Sequence, residues 1–175
     1  MKVTVRETAK FGMLGGLIFA SKALMEALPN IHLVGVFIVA LTVVYRAKAL
    51  FPIYVFVLLQ GLIEGINAWW VPYLYVWTVL WGAVMLLPKT MKPRVAAIVY
   101  MVVCSLHGFL FGILYAPVQA LFFGLNFRQT VAWVAAGMSF DVIHGISNFI
   151  CGGLIVPLVK LIRRADRDLV SESAM

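Results

Sequence analysis

The feature that most constrains this chain is a succession of long apolar stretches, broken only by short clusters of charge or by proline, running over most of its length. Such stretches are read as membrane helices, because in hydrocarbon a helix is the structure that satisfies its own backbone hydrogen bonds within one segment. Composition agrees: 63% of residues are hydrophobic and 12% charged, with a mean hydropathy of +1.01. A soluble domain has about half apolar and about a quarter charged residues. The polar material here is too sparse to clothe a soluble globule, so lipid must cover much of the surface. A disordered chain, a collagen and a disulfide framework are excluded. Cys104 and Cys151 each lie alone inside apolar runs, which reads as two small buried hydrophobes without redox or metal chemistry.

The expected fold is an all-α integral membrane protein, a single compact bundle of six transmembrane helices spanning residues 1–175. The helices fall near Phe11 to Leu28, Ile31 to Tyr45, Leu50 to Ile66, Val71 to Leu87, Val95 to Tyr115 and Phe140 to Ile162, with a solvated tail over 165–175. The second to fourth are short against the roughly 20 residues that cross a bilayer. The link from Ala116 to Ser139 holds Gln119, Asn126, Arg128 and Gln129 beside an apolar piece, Thr130 to Met138, and reads as a surface or re-entrant helix. Lys22 and Glu26 inside the first run, with no small-residue cleavage site, make it a membrane helix rather than a signal peptide.

Orientation follows from the charges, since cytoplasmic loops collect Lys and Arg. With the N-terminus inside, the inner side holds Lys2, Arg6, Lys10, Arg46, Lys48, Lys89, Lys92, Arg94, Lys160, Arg163, Arg164 and Arg167, twelve of the fourteen basic residues. The outer loops hold only Arg128, and Lys22 lies within a helix. Both termini are therefore expected in the cytoplasm. The net charge of +7 is a topology signal with attraction to anionic lipid as a by-product, not a nucleic-acid footprint.

Several polar and small residues recur at helical spacing. Gly12, Gly16, Ala20, Ala23 and Ala27 follow one another at steps of four, four, three and four, which confines them to an arc of roughly 80°. Such a bare flank admits a close neighbour, either a partner subunit or a helix of the same bundle. Gln60, Glu64 and Asn67 share a face of the third helix, and Glu64 is either a cavity-facing carboxylate or an interfacial one. Trp69, Trp70, Tyr73, Tyr75 and Trp77 form an interfacial belt, a stacking surface for a ligand, or both. Asp141, His144 and Asn148, with Ser147 adjacent, share a face at the start of the last helix, as ligand contacts, a proton relay or a capping network. His107 reads as a structural histidine, Lys22 and Glu26 as an i, i+4 pair, and His32 as part of the first outer loop. Glu26, His32, Glu64, Asn67, Trp69, Trp70, Tyr73, Asp141 and His144 all map to the outer half, which suits a capture site opening outward better than a channel. No Walker A, HExxH, GxSxG or GxGxxG motif is present.

With these residues in place, the chain resembles the substrate-binding S-components of energy-coupling factor (ECF) vitamin transporters over nearly its whole length. The resemblance rests on the Gly/Ala flank of the first helix, on Pro29-Asn30-Ile31-His32-Leu33-Val34, and on Ile53-Tyr54-Val55-Phe56-Val57-Leu58-Leu59-Gln60-Gly61-Leu62. It rests further on Tyr73-Leu74-Tyr75-Val76-Trp77 and on Phe140-Asp141-Val142-Ile143-His144-Gly145 with Asn148. It implies a multi-pass protein of a prokaryotic plasma membrane that binds a vitamin from outside and passes it inward with a transmembrane coupling subunit and two ATPases. It would have no ATPase motif, cofactor or metal of its own. The cobalamin branch is the most similar; pantothenate, pyridoxine, hydroxymethylpyrimidine and folate are alternatives. Binding is expected from His32, Glu64, Asn67, Trp69, Trp70, Tyr73, Asp141, His144 and Asn148, and partner docking from Gly12, Gly16, Ala20 and Ala23. Two rivals from other classes are an intramembrane enzyme using Asp141, His144 and Ser147, and a purely structural membrane protein.

Overall fold

A computed structural model describes residues 3–172, leaving Lys2 and the last three residues of the expected tail outside the described residues. Eight α-helices form the fold, with no strand among the described residues: α1 Val5–Leu24, α2 Val34–Tyr45, α3 Leu50–Glu64, α4 Tyr73–Met85, α5 Pro93–Phe109, α6 Phe111–Phe123, α7 Phe127–Gly152 and α8 Ile155–Glu172. A 3-10 turn, Arg46–Ala49, joins α2 to α3. Three stretches, Val34–Glu64, Pro93–Phe123 and Phe127–Gly152, are long and apolar enough to cross a membrane, and Tyr73–Met85 is a shorter apolar helix.

The helix ends have local causes. Thr4 and Glu7 close a capping box at the start of α1, and Asn126 and Gln129 close another at the start of α7, each satisfying two otherwise orphaned amides. Pro93 opens α5, where its missing N–H costs nothing. Gly124, at φ +61°, ends α6 in the left-handed conformation that glycine adopts without a steric penalty.

Several expected boundaries change. The first helix runs from Val5 to Leu24 rather than from Phe11 to Leu28, and the one expected over 95–115 is divided at Leu110 between α5 and α6. The link expected over 116–139 is almost wholly helical, divided between α6 and the first half of α7, so Asp141 lies in the middle of a 26-residue helix rather than at its start. The single helix expected over 140–162 is broken at Gly152–Gly153 and restarts at Ile155. Pro157 explains the restart: in a continuous helix its ring would collide with the carbonyl four residues back, whereas here it sits in the first turn of α8. The expected solvated tail is also tied down for part of its length. Asp166 accepts hydrogen bonds from Lys10 Nζ and Tyr45 Oη, both at 3.1 Å, which docks α8 onto α1 and α2.

The core is built around α2, whose residues Val34 to Thr42 are buried without interruption. Helices α4 and α8 pack most extensively on it, and α1 lies along α3. The α1 contact face is Phe11, Gly15 and Ile18. Phe11 stacks on Phe51 at 5.9 Å, and a Cβ at Gly15 would come within 2.8 Å of the Pro52 carbonyl oxygen. The most extensive pair is α5 with α7. There Gly108 faces Gly145, Ser105 Oγ donates to the Gly145 carbonyl at 2.8 Å, and Asn148 Nδ2 donates to the Cys104 carbonyl at 3.2 Å. Cys104 is buried and Cys151 half-buried, both free thiols.

Helix α7 is inside out by the standard of a water-soluble protein. It buries His144, Gly145, Ser147 and Asn148, while Ile150 is 69% exposed and Ile146 50%. Leu24, Leu62, Leu121 and Phe127 are exposed as well. Small and polar residues facing inward with large apolar ones facing outward is the arrangement that lipid demands.

The basic residues gather at one end. Besides the Lys10–Asp166 pair, Lys48 pairs with Glu7 and Arg46 Nη2 donates to the Met85 carbonyl at 2.8 Å. The Lys48 hydrogen bond holds the Glu7 carboxyl below the usual carboxylate range. Lys160, Arg163, Arg164 and Arg167 are exposed along the same helix as Asp166.

Candidate functional site

At the end of α1 remote from Lys10, the α1–α2 link and the starts of α4 and α6 surround two adjoining pockets. One, of about 180 Å3, is lined by Lys22, Glu26, His32, Tyr73, Phe111 and His144 among others. The second, of about 310 Å3, is walled by Tyr115, Trp133 and Asp141 together with Asn30, Tyr73 and Phe111, which line both. The α1–α2 link is fixed over this site by Ser147, whose hydroxyl lies 3.0 Å from the Asn30 carbonyl and 2.9 Å from that of His144. Asn30 itself adopts φ +60°, a conformation that asparagine tolerates better than most residues.

The walls are aromatic. Tyr73 packs edge-on against Trp69 and Trp77, each at 5.5 Å, and Phe111 contacts His144 at 5.0 Å and Trp77 at 5.6 Å. Tyr115 stacks with Trp133 at 6.2 Å and donates its hydroxyl to the Trp69 carbonyl. At the floor the His32 and His144 rings meet at 4.8 Å. Burial pushes the His32 imidazole down to about 4, and the neighbouring Lys22 ammonium acts in the same direction, so His32 is neutral at physiological pH.

His32, Tyr73, Asp141 and His144 thus converge, but the remaining expected contacts line neither pocket. Glu64 is paired with Lys22 at 3.1 Å. This corrects the expected Lys22–Glu26 pair: α1 ends at Leu24, so Glu26 falls outside the helical geometry that would bring it back to Lys22, while the α1–α3 packing delivers Glu64. Asn67 Oδ1 accepts from the Trp69 amide at 3.0 Å and shapes the α3–α4 link. Trp70 donates from Nε1 to the Val57 carbonyl at 2.8 Å, its indole lying where a Cβ at Gly61 would stand. Trp69 backs Tyr73 from behind, and Asn148 Nδ2 joins α7 to α5, leaving its Oδ1 buried without a partner.

Asp141 has a second task. The break between α5 and α6 leaves the first amides of α6 without helical partners, and Asp141 Oδ1 accepts from the Gly112 amide at 3.0 Å. It caps a helix, though not its own. Asp141 and Ser147 direct their side-chain hydrogen bonds to backbone groups rather than to one another or to the His144 ring. His107 is buried with Nε2 on the Val76 carbonyl at 3.0 Å, a structural contact as expected.

Asn30, Phe111, Tyr115 and Trp133 were not among the expected site residues. Treating the stretch after Tyr115 as a connection hid Trp133; the Asn126-x-x-Gln129 capping signature would have marked the start of α7 and placed Trp133 two turns into it.

Gly12 and Gly16 have no atom within 4 Å of where a Cβ would stand, and Ala20 and Ala23 are exposed. The bare flank of α1 is therefore not used inside the bundle, where Gly15 makes the close contact instead.

Fold and site together define an all-helical chain with stretches able to span a membrane and an aromatic, histidine-floored pocket at the end opposite its basic cluster. No family model, curated protein or solved structure matches it.

Proposed function

We propose that this chain is the substrate-binding S-component of an ECF-type importer, a multi-pass subunit of a prokaryotic plasma membrane. It captures a vitamin from the outside, with cobalamin as the first candidate, and hands it inward with a coupling subunit and two ATPases. The observation that carries the reading is the pocket itself. His32, Tyr73, Asp141 and His144, far apart in sequence, meet in an aromatic cleft at the end opposite the basic residues, which is where an outward capture site belongs if positive charge marks the cytoplasmic side. The unused flank of α1 offers the coupling subunit a close approach. A corrin is larger than either pocket, so its capture requires the α1–α2 link and the α6–α7 pair to part. Pantothenate, pyridoxine, hydroxymethylpyrimidine and folate are the smaller alternatives.

The test is equilibrium binding of this vitamin panel to the purified chain in lipid nanodiscs, together with labelling of single cysteines in intact cells. One vitamin is expected to bind saturably and raise the melting temperature, and Asn67→Cys is expected to react with an impermeant reagent while Lys92→Cys does not. Binding of none, or the reverse labelling, overturns the reading.

A further inference from the structure

All three histidines of the chain lie around one tryptophan. His107 is 5.6 Å and His32 6.2 Å from the Trp77 ring, and His144 is 4.8 Å from His32. His32 Nδ1, His107 Nδ1, His144 Nε2, Trp77 Nε1 and both polar atoms of the Gln60 amide are buried without a hydrogen-bond partner in the protein. Gln60 joins the group from α3, one turn beyond Phe56, whose ring packs on Trp77 at 6.0 Å. Leaving one buried polar atom unpaired costs about 1–3 kcal/mol, and native proteins leave few so. A concentration of them at one place marks a site that a polar guest completes. His32 and His144 also line the smaller pocket, and His144 is only 1% exposed. No third His, Cys, Asp or Glu joins them in a metal-binding group among the described residues, so hydrogen bonding is the chemistry on offer.

We infer that His32 and His144 are the specificity-determining residues of the pocket floor, and that they select a ligand whose inserted end is flat, uncharged and equipped with both a hydrogen-bond donor and an acceptor: a carboxamide or a nitrogen heterocycle. This rests on the reading of the pocket as a ligand site. A neutral imidazole has one N–H and one bare nitrogen, so two of them at van der Waals distance serve both functions of such a group. Tyr73 and Phe111, which line both pockets, supply flat apolar walls. A charged end is disfavoured because the floor itself presents only the two imidazoles: Lys22 is paired with Glu64, and Asp141, whose Oδ1 accepts from the Gly112 amide, lines the adjoining pocket. Burying an ion without a partner costs far more than burying an amide. Charge on the rest of the ligand is a separate matter, with Glu26 lining the pocket from the α1–α2 link.

The test uses small probes that do not presuppose the vitamin: nicotinamide, its acid nicotinate, and benzylamine, added to the full chain in nanodiscs with 15N-labelled histidine. Three imidazoles give a simple spectrum, assigned with His107→Asn and His32→Phe. Nicotinamide is expected to shift the His32 and His144 signals saturably, with nicotinate and benzylamine at least tenfold weaker. His144→Phe, which keeps a ring and removes the nitrogens, should weaken nicotinamide by roughly threefold to tenfold, the loss of one hydrogen bond, with His144→Gln restoring part of it. Should His144→Phe fail to fold, His32→Phe in the α1–α2 link gives the same readout. Equal response to the charged probes, response to none, or binding indifferent to both substitutions overturns the inference. If nicotinamide engages the histidines while no vitamin binds, the transporter reading fails and the floor assignment stands; if a vitamin binds independently of both histidines, the reverse holds.

Discussion

Replacing Gly16 by leucine is expected to abolish vitamin uptake while leaving the isolated protein folded and its vitamin affinity unchanged. The reason lies in the contrast along α1. Gly15 is pressed against α3, with the Pro52 carbonyl oxygen 2.8 Å from where a Cβ would stand, whereas Gly12 and Gly16 face open space. Glycine in an exposed helical position costs about 1 kcal/mol relative to alanine, so two unneeded ones argue for a use outside the bundle. A leucine at position 16 holds an approaching helix several ångströms away, enough to remove the packing on which association in lipid depends. Gly12→Ala and Gly16→Ala are the mild forms, expected to leave the melting temperature unchanged or slightly higher. Binding and melting are measured on the purified chain, uptake in cells with the coupling module. Unchanged uptake in Gly16→Leu removes the docking role, and unfolding would show that the flank is needed within the bundle.

Gly108→Ala should have the opposite profile, a large loss of stability with no selective effect on transport. A Cβ there would lie 2.9 Å from the Gly145 backbone nitrogen and Cα and 2.9 Å from Asn148 Nδ2. Relief cannot come from rotating one flexible side chain, because two of the three neighbours are backbone atoms. The α5–α7 pair must separate, straining the Ser105–Gly145 and Asn148–Cys104 hydrogen bonds that close it. Overpacking of this kind costs about 1–3 kcal/mol, and in Gly108→Leu considerably more, so the leucine variant is expected not to accumulate in the membrane. The measurement is the melting temperature in nanodiscs beside Gly12→Ala as a control. A Gly108→Ala protein as stable as the parent would mean that α5 and α7 are farther apart than described.

The helical class, the apolar stretches and the gathering of basic residues at one end were legible in the sequence, because each depends on composition or on periodicity within one segment. The pocket was legible in part. His32, Tyr73 and His144 stood out as polar or aromatic residues at helix ends and on helix faces, and they do meet. What the sequence concealed was pairing across helices. Spacing finds Lys22 beside Glu26, yet the end of α1 and its packing on α3 give Lys22 to Glu64. Spacing finds Gly12, Gly16 and Ala20 on one flank but does not say that the neighbouring flank, with Gly15, meets the bundle. Asp141 has the look of a residue beginning its own helix; it caps α6 instead, because the helix is interrupted at Leu110 and exposes the Gly112 amide. Asn148, on the same face as His144, lines neither pocket, and its Nδ2 is engaged by the Cys104 carbonyl. These outcomes turn on which helix lies beside which, information that no single segment carries.

The central claim is that the pocket captures a vitamin for an ATP-driven importer, and tracer uptake tests it most directly. Cells expressing this chain are given the labelled vitamin that the binding panel identifies, with and without the coupling subunit and its two ATPases. Saturable uptake that requires both the chain and catalytically intact ATPases is the expected result. Uptake that persists without the ATPases, or no uptake with the complete set while the chain is present in the membrane, would contradict it.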